Sequence, residues 1–111
     1  MGAPPLKPGE LRDLIKQSGF SVRSLAARLG LEVRTLERRF CRQLRTTPKA
    51  WIMRERMICA PPLLAEGLSN KEVAATLSYT CETNFCRDFK RSYGSAPQRF
   101  ARIRRHALVA I

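Results

Sequence analysis

Between Glu32 and Arg45 the apolar residues Val33, Leu36, Phe40 and Leu44 recur three or four positions apart, the spacing of the buried side of an amphipathic helix. The opposite side of that helix collects Arg34, Thr35, Arg38, Arg42 and Arg45. A guanidinium is a planar fork of donors that can meet a phosphate, or the O6 and N7 edge of guanine, with two bonds; an ammonium cannot. Such a stripe is either a solvated charged face or a surface for a polyanion. The charge balance of the chain favours the polyanion, with 21 lysines and arginines against 9 acidic residues and a formal net charge of +12.

A second run has the same design with different chemistry. Phe85 and Phe89 mark its inner side, and Thr83, Asn84, Arg87, Lys90 and Arg91 its outer side. This face is less charged and richer in short polar groups. Asparagine suits adenine, and threonine offers a methyl or a hydroxyl, so the two faces are expected to read different sequences. Glu82, near the start of the run, either complements the helix dipole or accepts a bond from cytosine N4.

The flanking segments supply the elements that position these faces. Residues 1–8 hold three prolines and a glycine and read as a flexible lead. Leu11, Leu14 and Ile15 predict a helix over 9–17, which Gly19 stops. Ser21 is a candidate N-cap for a second helix whose apolar face is Leu25, Ala26 and Leu29, with Gly30 at its end. Only about two residues then precede the arginine-bearing helix, the arrangement of a helix-turn-helix. The design repeats: Ser21, Leu25, Ala26 and Leu29 match Ser69, Val73, Ala74 and Leu77 at an offset of 48. Beyond the turn the offset is 49, pairing Leu36 with Phe85, Arg38 with Arg87, Phe40 with Phe89, Arg42 with Arg91, Pro48 with Pro97 and Trp51 with Phe100. The chain thus reads as two copies of one unit.

Between the copies, Thr47-Pro48 starts a further helix, with Trp51, Ile52, Met57 and Ile58 as its candidate buried side. Pro61-Pro62 predicts that this helix ends or kinks near Cys59-Ala60 and restarts toward Leu63–Glu66, because an interior proline removes a hydrogen bond and clashes with the preceding turn. Gly67 closes the segment, and a last helix runs from Ala96-Pro97 to Arg105. The expected fold is all-α with about seven helices, as two helix-turn-helix subdomains (9–46 and 67–106) joined by a linker helix (47–66) and followed by a tail (107–111).

Other function classes find little support. Cys41, Cys59, Cys81 and Cys86 form no C-x-x-C pair, and His106, read as solvated, is the one histidine, so neither a metal nor a cofactor is expected. Cys41 and Cys86 lie near arginines that would lower a thiol pKa, which makes them candidate redox sensors; the alternative is that they are small, inert residues. Trp51 reads as core. With no paired carboxylates and no phosphate-binding glycine loop, an enzyme is not expected. No apolar stretch approaches a membrane span and no signal peptide opens the chain, so a cytoplasmic protein is the expectation.

The sequence resembles the AraC/XylS-type transcription regulators. The likeness rests on Ser69-x-x-Glu72-Val73-Ala74-x-x-Leu77-Ser78-Tyr79 followed by Asn84-Phe85-Cys86-Arg87-Asp88-Phe89-Lys90-Arg91-Ser92-Tyr93-Gly94-x-x-Pro97, with Ser24-Leu25-Ala26 and Leu36-x-Arg38-x-Phe40 in the first copy. The resemblance covers about residues 10–105. It implies two recognition helices entering successive major grooves of double-stranded DNA. By position it makes Arg34, Glu37 and Arg38, then Glu82, Thr83, Cys86 and Arg87, the candidate base-facing residues. Two departures stand out: Ser78-Tyr79 where the family has Gly-Phe, and Pro61-Pro62 where its linker helix is unbroken. The expectation is a sequence-specific transcription regulator that binds as a monomer if the chain is complete, with RNA polymerase a candidate partner; 111 residues leave no room for a sensor domain, so the chain reads as either a short stand-alone member or a fragment. The alternative is a non-specific nucleic-acid or RNA-binding basic protein.

Overall fold

The computed structural model describes residues 6–109, with side chains through Arg104; His106 lies outside the described side chains. Seven α-helices and no strand occur among these residues. They are α1 (Pro8–Gln17), α2 (Val22–Arg28), α3 (Val33–Arg39), α4 (Pro48–Ala65), α5 (Asn70–Thr76), α6 (Glu82–Tyr93) and α7 (Pro97–Val109). Local chemistry sets their ends. Ser21 Oγ accepts from the Ser24 amide at 3.3 Å and opens α2. At α5 the cap is reciprocal: Ser69 Oγ accepts from the Glu72 amide (3.1 Å) and Glu72 Oε1 from the Ser69 amide (3.2 Å). These bonds from Ser69 hold the Glu72 carboxyl below its ordinary pKa. Thr47 Oγ1 accepts from the Ala50 amide at 3.1 Å at the head of α4.

The chain divides into two compact units, with the boundary inside α4 between Glu55 and Arg56. In the first unit Leu11, Ile15, Leu25, Leu36, Phe40 and Ile52 are buried. Phe40 meets Trp51 edge-on at 5.6 Å, so Trp51 is a core residue. Glu55 is buried as well, and Arg12 donates to both of its oxygens, at 2.8 and 3.3 Å. In the second unit Leu64, Val73, Leu77, Phe85 and Phe89 are buried, and the rings of Tyr79, Phe85, Phe89 and Tyr93 contact one another in sequence at 4.5–5.8 Å. Ile58, expected on the buried side of α4, is 52% exposed.

Two features depart from the sequence reading. The first is a π-helical turn, Phe40–Leu44, that continues α3. The second is α4 itself, which runs through Pro61 and Pro62 without the expected end. Proline at 61 deprives the Met57 carbonyl of its i+4 donor. Tyr93 Oη donates to that carbonyl at 2.5 Å, so a side chain 36 residues away supplies the missing partner. Gly67 and Leu68 then close α4 by donating to Leu64 and Leu63.

Candidate nucleic-acid interface

In the first unit α2 ends in a Schellman turn. The Gly30 amide donates to Ala27 (3.1 Å) and the Leu31 amide to Ala26 (2.9 Å). Gly30 takes a left-handed φ of +69°, which reverses the chain into α3 within four residues. Leu25 and Leu36, both fully buried, fix the two helices at this turn. The outer face of α3 then carries exposed Arg34, Glu37 and Arg38 beside half-buried Thr35, while Val33 and Leu44, assigned to the core side, are half-buried. Among the described residues none of Arg34, Arg38 and Arg42 forms an ion pair with a carboxylate. Their donors face solvent.

A π turn with i+5 to i hydrogen bonding, Phe40–Leu44, carries the end of this stripe. Thr35, Arg38 and Arg42 line a shallow concavity of about 270 Å³ together with Arg39 and Gln43, at the i, i+3, i+4, i+7 and i+8 spacing of one helical face. Gln43 is fixed there because its Oε1 accepts from the Leu6 amide at 2.7 Å. Arg45 follows the π turn in a left-handed conformation, φ 53°, and is exposed.

The second unit builds the same turn from different residues. The Ser78 amide donates to Ala75 (3.1 Å) and the Tyr79 amide to Ala74 (2.9 Å), with Ser78 at φ 63° in the place matching Gly30. A side chain with a Cβ is strained there by about 1–2 kcal/mol. Arg56 of α4 braces the turn: its Nε donates to the Leu77 carbonyl (2.9 Å), its Nη2 to the Ser78 carbonyl (3.3 Å), and its guanidinium lies 4.6 Å from the centre of the Tyr79 ring. Tyr79 Oη donates to Asp88 Oδ2 at 3.0 Å. Burial, then the bond to Asp88, push the Tyr79 pKa well above the ordinary tyrosine range.

Along α6, Glu82, Thr83, Arg87, Lys90 and Arg91 are exposed, and Asn84 and Cys86 half-buried. Asn84 Nδ2 donates to Thr80 Oγ1 at 3.5 Å. Arg87 Nε stands 3.6 Å from Asp88 Oδ1. The thiol of Cys86 is pushed up in pKa by burial and by the Glu82 charge, the opposite of the lowering that redox sensing would need. Of the sequence-derived residues, Arg34, Thr35, Glu37 and Arg38 lie on α3, Arg42 on the π turn and Arg45 just beyond it, while Glu82, Thr83, Asn84, Cys86, Arg87, Lys90 and Arg91 lie on α6. The arrangement can donate hydrogen bonds to phosphates and base edges.

No helix among the described residues is long and apolar enough to cross a membrane, and none of their side chains form a group that could hold a metal ion. A search of curated protein sequences finds no significant match. Among solved structures the chain is similar to the C-terminal domain of the two-component response regulator yesN from Fusobacterium nucleatum, at 21% identity and a TM-score of 0.73, covering 84% of this chain and 95% of that one. It is similar also to the C-terminal domain of AraT, a response regulator from Geobacillus stearothermophilus (23%, 0.74, covering 90% and 88%). A probable AraC family transcriptional regulator from Rhodopseudomonas palustris gives 21% and 0.66, covering 85% and 93%. These likenesses show the fold. A family model described as a helix-turn-helix domain matches residues 25–103, most of the chain and both turns. The chain belongs to the AraC-type helix-turn-helix family of DNA-binding transcription regulators.

Proposed function

We propose that this chain reads double-stranded DNA sequence-specifically, with α3 and α6 as recognition helices that enter successive major-groove segments. The observation that supports this most is the repeated pairing of a tight turn with a helix whose polar face is exposed, arginine-rich in α3 and mixed in α6. Arg34, Thr35, Glu37, Arg38, Glu82, Thr83, Asn84, Cys86 and Arg87 face the bases, and Arg42, Arg45, Lys90 and Arg91 the phosphates. Phosphate contacts supply affinity and a steep salt dependence, and base-edge contacts supply discrimination. One copy of the chain carries two different recognition helices, so it binds as a monomer to an asymmetric site. Regulation then runs through contact with RNA polymerase beside that site. Selection from random duplexes at fixed salt tests the reading. An asymmetric preferred site is expected, and Arg38→Ala should cost ~1–3 kcal/mol and relax one base position. Equal affinity for all duplexes would overturn it.

A further inference from the structure

The matched arginines Arg38 and Arg87 sit in different electrostatic settings. At the offset that pairs them, Arg39 of the first copy corresponds to Asp88 of the second. In α3 the neighbour is another cation. In α6 it is a carboxylate whose side chain is only 14% exposed.

The two oxygens of Asp88 have separate partners. Oδ2 accepts from Tyr79 Oη at 3.0 Å, while Oδ1 stands 3.6 Å from Arg87 Nε. Tyr79 is itself held by the turn and by the Arg56 guanidinium over its ring. The carboxylate is therefore anchored from behind by a rigid phenol and presents its other oxygen to the arginine. Arg87 remains 58% exposed, so its far end reaches solvent. A guanidinium with its Nε side turned to a carboxylate as an ion pair leaves both terminal nitrogens side by side on its far end, the pair that meets guanine O6 and N7 end-on.

We propose that Tyr79 and Asp88 are positioning residues that hold Arg87 for end-on, bidentate reading of a guanine, and that this makes Arg87 a stronger specificity determinant than its counterpart Arg38. The inference rests on the DNA-reading function proposed above. The carboxylate has two opposed effects. It limits the arginine's search for alternative contacts, including phosphates, and it places a negative charge beside the DNA backbone. Its removal should thus weaken discrimination while strengthening indiscriminate binding. A residue that merely stabilised α6 would produce no such opposition.

Asp88→Asn is the informative substitution, because the amide oxygen still accepts from Tyr79 while the charge facing Arg87 is gone. The full chain is first used to select its preferred duplex, and Arg87→Ala identifies the base pair that Arg87 reads. Affinities for that duplex, its three single-base variants there, and random duplex are then measured at one salt concentration. The expected result for Asp88→Asn is a loss of discrimination at that base pair of about fivefold or more, with tighter binding to random duplex. Tyr79→Phe, which keeps the ring over which Arg56 lies, should shift the same ratio in the same direction, and a thermal melt confirms that both variants are folded. An unchanged ratio in folded Asp88→Asn overturns the inference alone, as does a parallel fall in all affinities. A wild-type chain with no preferred duplex overturns the underlying reading and this inference with it.

Discussion

Replacing Tyr93 with phenylalanine removes one oxygen and leaves the ring, which packs 4.5 Å from Phe89 and 5.2 Å from Phe100. The lost group is the donor to the Met57 carbonyl, whose helical partner was already removed by Pro61. A hydrogen bond contributes about 1 kcal/mol net, and a buried carbonyl left unpaired costs about 1–3 kcal/mol. Tyr93 is 37% exposed, so water can reach part of this region. The low end of that range follows, about 1–1.5 kcal/mol, or a Tm lowered by roughly 4–12 °C for a unit of this size. The mechanism is separated from ordinary packing loss by a double-mutant cycle with Pro61→Ala. That change restores an amide donor to Met57, so Tyr93→Phe should cost about 0.5 kcal/mol or less when combined with Pro61→Ala. Urea unfolding followed by far-ultraviolet circular dichroism measures all four variants. Equal cost of Tyr93→Phe in both backgrounds would refute the reasoning.

Three other outcomes follow from the same geometry. Arg12→Ala should destabilise the first unit by about 1–3 kcal/mol in urea unfolding, because it strips the buried Glu55 carboxylate of both bonds it accepts at 2.8 and 3.3 Å. Gly30→Ala and Ser78→Gly should move stability in opposite directions by about 1 kcal/mol each, read as shifts in the urea midpoint. Nothing lies within 4 Å of a Cβ built on Gly30, so backbone strain alone is at stake there. Burial raises the pKa of both Tyr79 and Tyr93 above the ordinary 10.0. A folded-state pKa above the unfolded value means the native chain holds more protons above about pH 10, so stability is full below that pH and falls as pH rises. Unfolding free energies measured between pH 8 and 11 should fall above pH 10, and less steeply in Tyr79→Phe.

What the sequence disclosed was the chemistry that acts locally. Ser21 and Ser69 announced two helix starts, Gly30 and Gly67 two ends, and the three-and-four spacing of Leu36 and Phe40 the buried side of α3. Each of these depends on neighbours within a few residues. Pro61-Pro62 pointed to an end or a kink, and that the helix does not end there was not legible because the compensation, Tyr93 Oη, lies in another helix. The π turn was hidden because Phe40 and Leu44 are spaced equally well for an α-helix. The arginine stripe itself was legible from periodicity. The anchoring of Asp88 was not, since it depends on where the Tyr79 hydroxyl points after the turn has formed.

The left-handed residues of the two copies are arranged reciprocally. Before the recognition helix the first copy has Gly30 and the second Ser78; after it the first has Arg45, at the position matching Gly94 of the second. Glycine moves through this region of backbone space freely, whereas serine and arginine occupy it only when the surroundings hold them. Each recognition helix is therefore a lever with its soft joint at one end, the leading end of α3 and the trailing end of α6. Under the groove docking proposed above, α3 would adjust from its entrance with its arginine-bearing exit held firm, while α6 would keep Glu82 and Thr83 in fixed register and yield near Lys90 and Arg91.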